Sequence, residues 1–444
     1  MDWSLEYLGA LTLCVACSHA LGSLLQRLIP AAGELPSSLR ILSGSMLMIA
    51  LYAVYRCGGQ SIFLLALPLL WIAVRQPIGA AAAGQRLNIL PGMILSLLFA
   101  FGLFKFRYGF DPTEIRSAWI DDFFYARLAQ ALSLNGIENS HIGSHFEALP
   151  PSPYHYLELW ATALIADLLH LNYYQTLRLV VTPFFFFVFI LILADAVTSR
   201  SALVRYAAGL LCSSGLLLVL PPNDIPYLRN LDNDLFAETA PKALPAVTLF
   251  AAGSIAALRN RLDAALAWFA LCALASFAMF GVVAGMFAAI LWQRVTGPAP
   301  RHAATPMLAV TLLLAIPAFY LLINAGPPGA ATGAPSLRVG FASGMTYLKY
   351  ALPGLLLLAA LTIFIHASGN RAAAGRLIGG LVVGALTGLL VSISFPGEKD
   401  ASQFFKFALD CALRSASAVL RIRPTATILP RDVERRQGLS RGLG

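Results

Sequence analysis

Apolar residues in this chain come in long, nearly unbroken runs separated by short polar connectors. The runs are centred on Tyr7–Leu28, Leu39–Tyr55, Ile62–Val74, Ile89–Phe104, Leu177–Val197, Ala202–Leu220, Ala243–Leu258, Ala264–Phe280, Val282–Trp292, Pro306–Ile323, Tyr347–His366 and Leu377–Phe395. Each is near the ~20 residues a helix needs to cross a bilayer, or somewhat short of it, so the pattern predicts about twelve spans. Continuous runs are not the alternating pattern of a transmembrane β-barrel, which is excluded. Gly281 and Gly285 interrupt the stretch from Ala264 to Trp292, which predicts either two half-helices or one bent hairpin. The first run lacks a basic leader and is followed by further runs, so it reads as a retained helix rather than a cleaved signal peptide.

The polar connectors fall into two kinds. Arg27 with Arg40, Arg75 with Arg86, Arg200 with Arg205, Arg259 with Arg261, Arg294 with Arg301, and Arg371 with Arg376 are basic. The positive-inside rule places them in the cytoplasm. The alternate connectors, Lys105–Ser152, Pro221–Lys242, Asn324–Gly344 and Pro396–Gln403, then face outside, and they hold most of the acids. This count requires that Tyr154–His170 does not cross. With His155, Glu158, Asp167 and His170 among its tyrosines and Trp160, that stretch is expected to be an interfacial helix.

The chain therefore divides into N-terminal transmembrane helices over 1–104 and a first extracytoplasmic loop with amphipathic and interfacial helices over 105–175. A transmembrane core follows over 176–403, with a second acidic outer loop at 221–242. Residues 404–444 are a weak terminal helix and a basic, proline-broken tail that reads as disordered. The fold class is an all-α polytopic membrane protein, placed by its pattern in a bacterial inner or plasma membrane.

Composition sharpens this picture. The chain is 58% hydrophobic and 12% charged, with a mean hydropathy of +0.73, too little charge to cover a soluble protein of 444 residues. Its net charge of +9 sits in the connectors and does not point to nucleic acid. Of the six cysteines, Cys14, Cys17, Cys212 and Cys272 lie in apolar runs and read as small hydrophobes, and no disulfide framework is implied. Nucleotide-binding and hydrolase fingerprints are absent, so an ATP-driven transporter is not expected.

Candidate chemistry sits outside. Trp119–Leu134 is predicted to be a helix with Ile120, Phe124, Leu128, Ala131 and Leu132 on its apolar face, ended by Asn135-Gly136. Asp121 and Asp122 stand at its N-terminus, where the macrodipole favours anions. They are either helix-terminal charges or catalytic carboxylates. His155 and Glu158 are candidates to contact a polar headgroup or a sugar. Asp232-x-Asp234 has the spacing of carboxylates that share a divalent cation such as Mg or Mn, or that hold substrate; a solvated loop is the plain alternative. Arg229, Lys242, Arg338, Lys349, Lys399 and Lys406 are outer-side cations able to grip a lipid phosphate. Lys399, at the outer end of the last clear span, stands out among them.

The segments "DDFFYARLAQALSLNGI", "PPSPYHYLELWATALIADLLHLNYYQTLRL" and "LPPNDIPYLRNLDNDL" together resemble the GT-C superfamily of integral-membrane glycosyltransferases, over Lys105 to about Pro241. The resemblance implies transfer of a sugar from a polyprenyl-phosphate donor to a glycan, lipid or protein acceptor at the outer face. It implies that Asp121 or Asp122 is the base or acceptor-positioning group. It also implies that Asp232 and Asp234 help hold substrate or metal, with basic residues on the lipid phosphate. About four spans precede the acidic loop here, where most members have one. A secondary transporter or flippase for a lipid-linked or anionic solute is the alternative from another class, and a non-catalytic membrane assembly protein a third.

Overall fold

The structure is a computed structural model that describes residues 3–29, 35–75, 89–108, 120–138, 155–196, 205–206, 240–296, 304–324 and 379. Every regular element among them is helical. Helix α1 is Trp3–Leu28, α2 Ser37–Arg56, α3 Ala66–Arg75, α4 Ile89–Tyr108, α5 Ile120–Asn135 and α6 Leu157–Leu169. A short α7, Tyr173–Thr176, passes through a π-helical segment, Leu177–Val181, into α8, Thr182–Ala196. Then follow α9 Ala240–Leu258, α10 Leu262–Ala275, α11 Phe280–Thr296 and α12 Ala304–Asn324.

Three of these are long and apolar enough to cross a membrane: Leu5–Leu28, Ser37–Arg56 and the continuous Tyr173–Asp195. Shorter apolar helices cover Ile62–Arg75, Pro91–Gly102, Leu244–Ala257, Leu262–Ala275, Val283–Trp292 and Ala304–Phe319. The expected spans at Ala202–Leu220, Tyr347–His366 and Leu377–Phe395, the second acidic loop and the tail lie outside the described residues, apart from Arg205, Tyr206 and Gly379.

In lipid, helices are held together by close packing and interhelical hydrogen bonds rather than by exclusion of water. The α1–α2 contact shows this. A Cβ added at Gly22 would fall 1.8 Å from the Arg40 carbonyl oxygen, and one at Gly44 would fall 1.8 Å from that of Ser18. Only hydrogen fits at either position, so the two backbones touch.

Two expectations need correction. The stretch at Tyr154–His170 is not laid on a surface with one face exposed. Leu157 to Ala166 are all buried, and Trp160 is fully enclosed. Thirteen residues of helix span only about 20 Å, short of a ~30 Å hydrocarbon core, so α6 enters the bundle without crossing. The break between α10 and α11 falls at Ser276, not at the glycines. Ser276 is extended (φ −146°, ψ 116°), its N–H closes α10 on the Cys272 carbonyl, and a 3-10 turn at Phe277–Met279 follows. Gly281 and Gly285 sit inside α11, as glycine is tolerated to do in membrane helices.

Candidate functional site

Helix α5 organises the site. It begins at Ile120 and ends where Gly136 turns left-handed (φ +62°) with its N–H on the Leu132 carbonyl, 2.9 Å. Gly136 is required twice over, because a Cβ there would also lie 2.2 Å from the Arg56 carbonyl oxygen. The buried face runs through Tyr125, Leu128, Ala129 and Leu132, while Phe124 and Ala131 are half-buried. The face is therefore turned from the expected one towards α6. Asp121 and Asp122 lie in the first turn of α5, and their side chains lie outside what is described.

Three groups of side chains pin α5 in place. At its start, the Phe123 ring stacks on Tyr174, 4.3 Å between centroids and 8° between planes. The Arg178 guanidinium caps the same Tyr174 ring at 4.7 Å. Arg178 belongs to the π segment, a local irregularity frequent at functional sites.

One turn into α5, Tyr125 meets the edge of His155 at 5.0 Å. His155 Nδ1 pairs with the Glu158 carboxylate, one helical turn on. Glu158 is completely buried and His155 is 9% exposed. These two sequence candidates therefore come together as a sealed pair beneath α5, not as an open binding surface.

At the far end of α5, the Asp167 carboxylate accepts hydrogen bonds from the hydroxyls of Tyr52, Ser133 and Tyr173. Arg56 Nη2 donates to Ser133 Oγ at 3.4 Å. Burial pushes the Asp167 carboxyl up, but the three hydroxyls and the nearby Arg56 charge outweigh it and hold the group below its ordinary range. Just beyond, Glu138 is buried. Its carboxylate accepts from Ser61 Oγ (2.6 Å), the Ile62 N–H (2.7 Å) and Trp160 Nε1 (2.8 Å), and its carbonyl accepts from the Tyr156 hydroxyl (2.9 Å). Burial pushes the Glu138 carboxyl up to about 7 despite these donors.

Arg229, Asp232, Asp234 and Lys399 lie outside the described residues. Among the described residues, no group of three or more His, Cys, Asp or Glu side chains converges as a metal site. Sequence reasoning did not single out Tyr52, Arg56, Ser133, Asp167 and Tyr173 as a unit. They come from the ends of four helices and share no local motif. The one available signal was Asp167 as an isolated acid at the end of an otherwise apolar helix.

Neither a family model, a curated protein nor a solved structure matches this chain.

Proposed function

We propose that this chain is a multi-pass, GT-C-like membrane glycosyltransferase that moves a sugar from a polyprenyl-phosphate donor to an acceptor on the extracytoplasmic face. The observation that carries the reading is the docking of the first turn of α5, which bears Asp121 and Asp122. Its Phe123 stacks directly on the aromatic ring that Arg178 caps. Carboxylates and a fixed cation on adjoining elements are what this chemistry needs.

In the reaction, a carboxylate of Asp121 or Asp122 takes the proton of the acceptor hydroxyl as its oxygen attacks the anomeric carbon. The anomeric C–O bond to phosphate breaks, and the lipid phosphate leaves with the bonding pair. Positive charge from Arg178, with Arg229 and Lys399 as candidate direct ligands, stabilises the developing phosphate charge. The sealed His155–Glu158 pair positions Tyr125 and hence α5. Asp232 and Asp234 are the candidate ligands for substrate or for a divalent cation. The donor already carries an activated bond, so no nucleotide site is needed.

The test is consumption of lipid-linked sugar in membranes holding wild type, a null, Asp121→Asn, Asp122→Asn and the double variant at matched protein levels. Replacing the base should lower turnover by about 100-fold or more. Normal consumption in all the Asp variants discards the assignment. The break at Ser276–Met279 is the feature that favours a transporter or flippase, since interrupted helices line transport sites. That reading requires lipid-linked sugar to change leaflet without being consumed.

A further inference from the structure

The far end of α5 carries a second feature, separate from the first turn by about 18 Å of helix between Asp121 and Ser133. Around the half-exposed Asp167 cluster stands a collar of exposed apolar side chains. Tyr55 is 79% exposed, Leu134 72%, Leu168 65% and Ile137 59%. They come from the same helix ends that supply Tyr52, Arg56, Ser133 and Asp167. A polar centre ringed by outward-facing hydrocarbon matches a bilayer interface, where headgroup and acyl chain meet.

The hydrogen bonding fixes what the centre offers. The Tyr52 and Tyr173 hydroxyls spend their protons on Asp167, so the lone pairs of these half-exposed phenols are left as acceptors, backed by a full negative charge. Ser133 is consumed internally, donating to Asp167 and accepting from Arg56 at 3.4 Å. Arg56 is half-exposed, and beyond that long bond to Ser133 its planar fork carries further N–H donors suited to an oxyanion. The centre thus presents acceptors for an ammonium and donors for a phosphate side by side.

We infer that this cluster binds the headgroup of a phosphatidylethanolamine, with its ammonium on the Tyr52 and Tyr173 oxygens, its phosphate on Arg56 and its chains against the collar. The inference rests on the membrane setting of α2 and α8 and not on glycosyl transfer.

The test uses the full chain in detergent and reads lipid binding by native mass spectrometry together with thermal stability. The probes are short-chain phosphatidylethanolamine, phosphatidylcholine, phosphatidylglycerol and diacylglycerol with the same chains. Phosphatidylethanolamine should bind about tenfold tighter than each of the others. Choline cannot donate hydrogen bonds to the phenol oxygens, glycerol brings no cation, and diacylglycerol brings no phosphate. Asp167→Asn should abolish the preference over phosphatidylcholine and phosphatidylglycerol, and Arg56→Gln should abolish the preference over diacylglycerol. Leu134→Gln with Leu168→Gln, exposed changes that leave the core intact, should weaken all four lipids together. Asp121→Asn and Asp122→Asn should leave the preference unchanged, which separates this site from the proposed reaction. Equal binding of phosphatidylethanolamine and diacylglycerol overturns the inference, as does a preference for phosphatidylglycerol, or a preference over diacylglycerol that survives Arg56→Gln. If Asp167→Asn does not fold, Arg56→Gln decides the phosphate contact, and the wild-type comparison of phosphatidylethanolamine with phosphatidylcholine decides the ammonium contact.

Discussion

At one end of α2, the Ser38 hydroxyl donates to Asp195; at the other end, the Tyr52 hydroxyl donates to Asp167. The two acids sit at opposite ends of one bundle, and their surroundings differ in kind. Asp195 is surrounded by arginines. Arg259 donates to its backbone carbonyl at 2.6 Å, and the Arg205 charge is close by. Asp263 and Arg294 form another acid–arginine pair, across α10 and α11. Asp167 is surrounded mainly by hydroxyls, with one half-exposed arginine and a collar of exposed apolar groups. The first end is a set of acid–arginine contacts that lock helices together. The second leaves acceptor and donor capacity on half-exposed side chains. The basic connectors predict that the locked end faces the cytoplasm and the open end the outside, the side on which the proposed chemistry would lie.

Substitutions at the locked end should be the most damaging. Asp195→Ala leaves the Ser38 hydroxyl without its acceptor and removes the acid nearest Arg259 and Arg205, and should cost about 3 kcal/mol, read as loss of folded protein in detergent. Gly44→Leu attacks the same end through packing. Its new Cβ meets the Ser18 carbonyl, α1 and α2 must separate, and the cost should be about 3 kcal/mol.

The open end should respond to pH instead. Glu138 has a folded-state value of about 7, above that of a free carboxyl, so the folded state holds its proton longer than the unfolded state does. Stability should therefore fall as pH rises from about 4.5 to about 7 and level off above, and Glu138→Gln should flatten that slope in thermal melts. Asp167 has the opposite sign. Its depressed value means that its contribution is present above the ordinary carboxylate range and is lost as pH falls through it. Asp167→Asn should remove that acid limb and cost about 1 kcal/mol at neutral pH, a small effect because the group is half-exposed.

Hydropathy alone located the described apolar helices to within a few residues, and Asn135-Gly136 correctly marked the end of α5. Long apolar runs and a glycine with φ > 0 are local signals. The burial of α6 was not legible, because Glu158, Asp167 and its tyrosines read as interfacial until their partners on α2 and α5 are known. The break at Ser276 was missed because the glycines nearby are the stronger formal breakers. The Asp167 cluster was invisible for a topological reason, since Tyr52 and Tyr173 are 121 positions apart in the chain. Asp121 and Asp122 were legible as a pair by adjacency, and their helix was found where the pattern put it.

The π segment at Leu177–Val181 acts as a phase shifter. A π turn holds one residue more than an α turn, and each residue of helix advances the angular position by about 100°. Removing one residue there would let Tyr173 to Ala196 run as an uninterrupted α-helix. It would also rotate the aromatic end against the buried phenylalanine end by roughly a quarter-turn or more. Either Tyr174 would leave Phe123, or Phe184 to Phe187 would leave the core. The extra residue lets one continuous rod satisfy two unrelated angular demands, one at the surface and one in the interior.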